Sequence, residues 1–301
     1  VIYMHDGDIA ILDNDIEFYN LNENKKVKRE ISTIDWDTEQ VKKGNFEHYM
    51  LKEIMEQTET IQRAIDQDEE ELRKIIDEIN NAKGIFFVGC GTAYYACLTG
   101  SYIFSKIANT HVNVISGSEF PHFKHFLTPK TLVIAVSQSG ETADVLEAIR
   151  VAKKKGSKVI AIVNVKGSSL DREADRSLYT NAGPEICVLS TKAYTAQLAL
   201  LILLAYGIKG EIGKGKEKLK NLYNFIYDLT ALSTREHLKR LAEKLKDKEH
   251  IFTIGRGLMY PTALEAALKL KEVSYIHTEG FAGGDLKHGP IALIERGTPT
   301  I

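Results

Sequence analysis

Cysteine is scarce in this chain. Only Cys90, Cys97 and Cys187 occur, an odd number in apolar contexts, with no CxxC spacing and no clustered histidine beside them. That pattern excludes a disulfide framework and a zinc site, and it predicts reduced core thiols in a cytoplasmic protein. An excess of positive charge is also missing. The formal net charge is −2, which leaves no electrostatic footprint for nucleic acid or acidic membranes. Long apolar runs are absent too: the longest, Ala196–Tyr206, falls short of a bilayer and reads as a buried helix. No signal peptide is visible. The first residue is Val rather than Met, inside strand-like sequence, which suggests an excised fragment or a processed product. No metal, cofactor, nucleic acid or membrane partner is therefore expected.

What is present is an ordinary globular composition, 44% hydrophobic and 27% charged over 301 residues, long enough for about two domains. The rest is organised around Thr131–Arg150, TLVIAVSQSGETADVLEAIR. Leu132–Val136 is a short aliphatic run suited to a buried parallel strand. Gly140 follows, and Thr142–Lys155 then carries Ala143, Leu146, Ile149 and Ala152 at helical spacing. A strand, a hydroxyl-rich turn and a helix follow one another. Ser137, Ser139 and Thr142 thus sit where unpartnered helical amides attract anions. Helix capping alone would also account for such residues, but three hydroxyls converging on one turn suit the phosphate of a small metabolite.

Taken in order, Val1–Asn20 contains strand-like pieces between Asp-Gly and Asn-Asp turns, and Leu21–Glu30 is charged and turn-rich. The segment is too small to hold a core alone. Ile34–Asn45 reads as a polar linker and His48–Asn80 as a long helical region. Strands are then predicted at Gly84–Val88, Val112–Ser116, Leu132–Val136, Lys158–Val163 and Ser177–Thr180. Helices are predicted at about Tyr94–Ile107, Thr142–Lys155, Thr191–Tyr206 and Glu217–Lys246. The alternation implies an α/β fold, a doubly wound parallel sheet flanked by helices.

His250–Gly255 restarts the layout of Gly84–Gly89: strand, Gly-x-Gly, helix. Gly89 and Gly255 lie 166 residues apart, and that offset carries Leu132–Ile134 onto Thr298–Thr300. The chain is therefore read as one full α/β unit plus the beginning of a second, truncated at its C-terminus. The expected division is 1–43, 44–247 and 248–301. Gly89-Cys90-Gly91-Thr92 is not a dinucleotide fingerprint. Tyr94 stands where the third glycine belongs, and no acid ends the second strand. The two glycines are expected instead to let backbone approach a sugar ring.

Leu264–Glu279 places Glu265, Lys269 and Glu272 on one helix at i, i+4 and i, i+3 spacings, which a solvated ladder of ion pairs would also produce. Phe281–Pro290 follows as a Gly-rich loop with His288 at its tip. A carboxylate and a histidine are what proton transfer on a sugar requires, although sequence alone does not bring Glu272 and His288 together.

CGTAYYA, SQSGETAD, NVKGSSLDREAD, STKAYTAQ and LEAALKLKEVSYIHTEGFAGGDLKHGP resemble the sugar-isomerase (SIS) half of the glutamine–fructose-6-phosphate aminotransferase family. HYMLKEIMEQ is similar to the entry into that half. Val1–Trp36 resembles the last strands of the family's glutaminase domain. The resemblance covers essentially the whole chain. It implies an SIS fold and conversion of fructose 6-phosphate and glutamine-derived ammonia to glucosamine 6-phosphate, with L-glutamine handled only by a glutaminase domain absent here. By the same resemblance Ser137, Gln138, Ser139 and Thr142 hold the phosphate, Thr92 contacts substrate nearby, and Val188 lies along the substrate wall. Glu272 shuttles a proton between C1 and C2, Lys269 assists at the sugar oxygens, and His288 opens the ring from the neighbouring subunit of a homodimer. Ala93 stands where the family usually has Ser, so sugar binding is expected to weaken by about 0.5–1.5 kcal/mol. The family's N-terminal cysteine nucleophile and Schiff-base lysine fall outside this sequence. A sugar-phosphate-sensing SIS domain without catalysis, or a plain sugar-phosphate isomerase, would need only part of this set. Neither explains the glutaminase-like start, and the sensor also leaves Lys269, Glu272 and His288 without a role.

Overall fold

Strand-forming pieces at the start pair with their neighbours in sequence. β1 (Asp8–Leu12), β2 (Ile16–Asn20) and β3 (Lys25–Val27) form an antiparallel sheet in that order, so the stretch expected to be only turn-rich supplies a third strand. Val1–Met4 forms no strand; Ile2 makes a single antiparallel bridge to Ile31. Arg29 grips Asp8 through two hydrogen bonds of 2.7 and 2.8 Å, holding the Asp8 carboxyl well below the usual carboxylate range. Ile9, Ile11 and Leu12 stay exposed, as befits a sheet with little core. The computed structural model describes residues 1–31, 33 and 41–301, and residues 34–40 of the expected linker lie outside them. The chain divides into two compact units, Val1–Lys42 and Lys43–Ile301.

In the second unit the expected long helix is three: α1 (Tyr49–Met55), α2 (Gln57–Ile65) and α3 (Glu69–Asn81). The break before α3 has a clear cause. Asp68 takes an extended ψ and caps the helix by accepting from the Glu71 amide at 2.7 Å, with Glu69–Glu71 facing the positive end of the dipole. β4 (Gly84–Gly89) leads to α4 (Thr92–Ile103), which widens into one π-helical turn at Phe104–Ala108. Then come β5 (Asn113–Ser116), β6 (Thr131–Ser137), α5 (Ala143–Lys154), β7 (Lys158–Val163), α6 (Ser169–Glu173), β8 (Arg176–Tyr179) and α7 (Lys192–Ile208). The five strands are parallel in the order β5-β4-β6-β7-β8.

Period-two alternation sends neighbouring residues of each strand to opposite layers. Phe87, Ile134 and Ile160 pack with α2, α3, α4 and α7. Phe86, Val133 and Val159 pack with α5, α6 and the turn at Phe120–Phe126. Both faces are covered, which is why the strands read as continuous aliphatic runs. The chain leaves β4 in one direction to β5 and returns on the other side to β6. A crevice therefore opens at the carboxyl ends of β4 and β6.

The segment expected as one helix over Glu217–Lys246 is again three: α8 (Ile212–Lys220), α9 (Leu222–Thr230) and α10 (Leu232–Leu245). β9 (His250–Gly255), α11 (Met259–Ser274) and β10 (His277–Ala282) then repeat the strand–helix–strand order, with β9 and β10 parallel. Phe281 and Ala282 thus belong to a strand, not to the expected loop. Phe252 also bridges Thr300 in parallel, where its counterpart Phe86 pairs with Val133. The second strand–helix–strand repeat, from β9 onward, enters its next strand one residue later than the fixed offset requires, because its connection is one residue longer.

Glycine does something different from what was expected at Gly89. A Cβ there would lie 2.8 Å from the Ala93 carbonyl carbon, and at Gly255 1.8 Å from the Met259 carbonyl oxygen. Both glycines let a helix start against its own strand. Gly91, the other glycine of the expected pair, has φ +55° and nothing within 4 Å of an added Cβ.

Candidate active site

The crevice is a cleft of about 150 Å³ lined by the loops after β4 and β6 and by the start of α7. Thr92, Ala93, Ser137, Gln138, Ser139 and Thr142 all line it, so six residues predicted from the sequence come together. No charged side chain is among the lining residues. Whatever anion binds there meets hydroxyls and amides.

The loop 137–142 is tightly specified. Ser137 Oγ, on a residue 3% exposed, accepts from the Gly140 amide at 3.0 Å and lies 3.4 Å from Thr142 Oγ1. Ser139 Oγ accepts from the Glu141 amide at 3.2 Å. Gly140 has φ +70°, and a Cβ there would lie 2.0 Å from Ser168 Oγ. The Leu170 amide binds the Gly140 carbonyl at 2.9 Å, and Glu141 accepts from the Ser169 amide at 2.8 Å. Thr142 occupies the N-cap position of α5 yet makes no side-chain cap bond. Capping therefore does not explain its hydroxyl, while the first amides of α5 have no acceptor within their own helix.

Besides Val136, the end of the predicted strand, three lining residues escaped sequence reasoning. Cys90, expected in the core, faces the cleft, and burial raises its thiol pKa. Ser190 and Gln197 line the wall formed by α7 and the residues before it. Ser190 was legible only as part of STKAYTAQ, and Gln197 hid inside the longest apolar run. Val188 stands apart. It is 95% exposed and not among the lining residues.

The cleft connects to α11 through Glu265. Thr92 Oγ1 donates to Glu265 Oε1 at 3.1 Å; Lys269 Nζ lies 3.6 Å from the same oxygen and 2.6 Å from Glu272 Oε2. The arrangement is not a solvated ladder, since the Glu265 side chain is only 7% exposed and that of Lys269 19%. Burial pushes the Glu265 carboxyl up to about 7, against the lowering influence of Lys269 and the Thr92 hydroxyl. Among the described residues its Oε2 meets no hydrogen-bond partner. α11 packs against α4, which sets Glu265 beside Thr92; spacing along one helix cannot show this. Glu272 is more open, 36% exposed at the side chain. His288 lies on the exposed turn Asp285–His288, and no contact joins it to Glu272 within this chain's described residues.

The arrangement offers a neutral anion cradle at one end and a Lys–carboxylate pair capable of proton transfer at the other. Comparison with known proteins identifies the family. The family model for the SIS domain matches residues 78–206 and 244–301. The glutamine–fructose-6-phosphate aminotransferase (isomerizing) of Thermococcus kodakarensis is 46% identical over 309 residues, covering 100% of this chain and 51% of that protein. The same-named protein of Methanothermobacter thermautotrophicus is 43% identical over 301 residues, covering 100% and 50%. The chain thus spans about half the length of the curated relatives it matches. The solved C-terminal domain of glucosamine–fructose-6-phosphate aminotransferase from Francisella tularensis superposes with a TM-score of 0.78 at 38% identity, covering 86% of this chain and 76% of that one. With the parallel sheet, the hydroxyl loop at its switch point and these matches, the chain belongs to the SIS domain family, in the branch of the glutamine–fructose-6-phosphate aminotransferases.

Proposed function

We propose that this chain supplies the sugar-phosphate-binding, isomerising part of an enzyme that makes glucosamine 6-phosphate from fructose 6-phosphate and glutamine. The observation that carries the reading is the continuous path from the cleft to α11: Thr92 to Glu265, Glu265 to Lys269, Lys269 to Glu272. In this reading Ser137, Gln138, Ser139 and Thr142 hold the phosphate, and the amides of α5 add the positive end of its dipole. Glu272 takes the proton from C1 and returns it at C2. Lys269, 2.6 Å away, pairs with Glu272 and faces the sugar oxygens. Ala93 leaves one lining position without a hydroxyl.

The division into 1–43, 44–247 and 248–301 belongs to the same proposal, as the end of a glutaminase domain, a first SIS domain and the start of a second. So do a homodimer in which His288 opens the sugar ring in the neighbouring subunit's site, and a cytoplasmic setting for an enzyme of phosphorylated metabolites. Val188 is retained as a wall residue only if its segment folds over bound sugar.

Replacing Glu272 by Gln in the full-length protein tests the reading. Glucosamine 6-phosphate formation is expected to fall by about 10²–10⁴-fold, while fructose 6-phosphate still binds in calorimetry. Undiminished turnover would remove Glu272 from the mechanism. A wild type that binds fructose 6-phosphate and forms no product would favour a sensor.

A further inference from the structure

The hydroxyls around the cleft are not equivalent, because each serine has one proton to give and lone pairs to receive. Ser137 Oγ and Ser139 Oγ already accept from the Gly140 and Glu141 amides. The Ser139 proton remains available to a ligand, and of Ser137 and Thr142, whose oxygens lie 3.4 Å apart, at least one has a proton to give. On the α7 wall the order is reversed. Ser190 Oγ donates to Glu185 Oε2 at 3.0 Å, on a residue outside the cleft lining, which spends its proton and leaves its lone pairs to accept. Glu185 is fixed in that role by two more donors. Its Oε1 accepts from the Thr191 amide at 2.9 Å and the Ala193 amide at 3.1 Å. The segment is anchored further by Glu53, 1% exposed, whose Oε1 accepts from the Ile186 and Cys187 amides at 2.6 and 3.1 Å. Gln197 adds an independent sign of the same polarity. It lines the cleft, is 1% exposed, and its Oε1 meets no partner among the described residues. A buried carbonyl oxygen without a donor is a bond left for a ligand to complete.

We propose that Glu185 is a positioning residue that sets Ser190 as an acceptor, so that the Ser190–Gln197 wall selects ligand hydroxyls while the Ser137–Thr142 loop selects the phosphate. The cleft then distinguishes the two ends of a phosphosugar by hydrogen-bond direction, with no charged side chain among its lining residues. Phosphate oxygens only accept at the loop; sugar hydroxyls donate at the wall. Burial favours the neutral form of Glu185, and the three donors aimed at it oppose that tendency. This assignment rests on the sugar-phosphate reading above.

Glu185→Gln is the discriminating change. The amide is the same size, its oxygen can keep both backbone bonds, and its nitrogen donates to Ser190 Oγ, which turns the Ser190 proton into the cleft. In the full-length protein, Kd for fructose 6-phosphate is measured by calorimetry and Kd for inorganic phosphate by ³¹P NMR. Both Glu185→Gln and Ser190→Ala are expected to weaken fructose 6-phosphate by about tenfold and to leave inorganic phosphate within about twofold. Unchanged fructose 6-phosphate affinity in Glu185→Gln overturns the proposal, as does a parallel loss of both ligands, which would mark a merely structural role. If Glu185→Gln does not fold, Ser190→Ala decides by the same two readouts. A wild type that binds inorganic phosphate but not fructose 6-phosphate would overturn the sugar-phosphate reading itself, and this assignment with it.

Discussion

Glu265 shows how one residue changes meaning with its surroundings. On the helix it is the first member of an i, i+4 pair with Lys269; in the fold it is buried against Thr92. Its carboxyl, raised from an ordinary 4.5 to about 7, binds a proton more tightly in the folded chain than in the unfolded one. The folded state therefore holds the extra proton between those values, and stability falls as pH rises from about 4.5 to about 7, then levels off. The loss attributable to this group is on the order of 3 kcal/mol at most. Glu265→Gln cannot ionise and keeps an oxygen for Thr92, so its urea midpoint should vary less between pH 5 and pH 8 than that of the wild type. An equally steep dependence in the variant would show that the Glu265 carboxyl is not the group responsible.

At the scale of elements, the phosphate loop is built by what surrounds it. Gly140 at φ +70° sits against Ser168 at the cap of α6. Gly140→Ala is expected to cost about 2 kcal/mol or more and to reduce sugar-phosphate affinity. Gly84→Ala, at the open start of β4 with nothing within 4 Å of the added carbon, should change stability by less than about 0.5 kcal/mol. Urea unfolding and calorimetry on the two variants separate these outcomes. Equal stability for both would mean the loop relaxes freely around a side chain.

The same scale explains what was legible in the sequence. β4, β5, β6 and β7 fall within one residue of their predicted ranges, because buried parallel strands must be continuous aliphatic runs and few other elements are. The loop from Ser137 to Thr142 was legible for the same reason: strand, glycine and helix fix where its hydroxyls converge. The breaks at Asn221 and Ala231 that divide α8, α9 and α10 carry no glycine or proline, so periodicity ran through them. The role of Glu265 stayed open because helical spacing reports neighbours on one surface and not what packs over it. Ala263, Ala266 and Ala267 around it were the available signal that a close-packed face surrounds the carboxylate. Glu185 left no comparable trace, since its partners are mostly backbone amides.

Across the whole molecule, a repeated strand–helix–strand order does the assembling. The first copy brings the cradle; the second brings α11, with Glu265, Lys269 and Glu272, over the start of α4. His288 follows β10 on an exposed turn, away from the carboxylates it would serve in its own chain. If it acts across a subunit interface, full-length Glu272→Gln and His288→Asn proteins should each be inactive alone. Mixing them through a denaturation–renaturation cycle should restore part of the glucosamine 6-phosphate formation. No recovery, with dimers confirmed by light scattering, would place His288 in its own subunit's site or outside the reaction.

A crystal structure of the protein with fructose 6-phosphate tests the central claim most directly. The phosphate is expected within hydrogen-bond distance of Ser137, Ser139 and Thr142, with C1 and C2 facing Glu272 and a sugar hydroxyl on Ser190. Phosphate bound outside the loop 137–142, or a sugar whose C1 and C2 point away from α11, would contradict it.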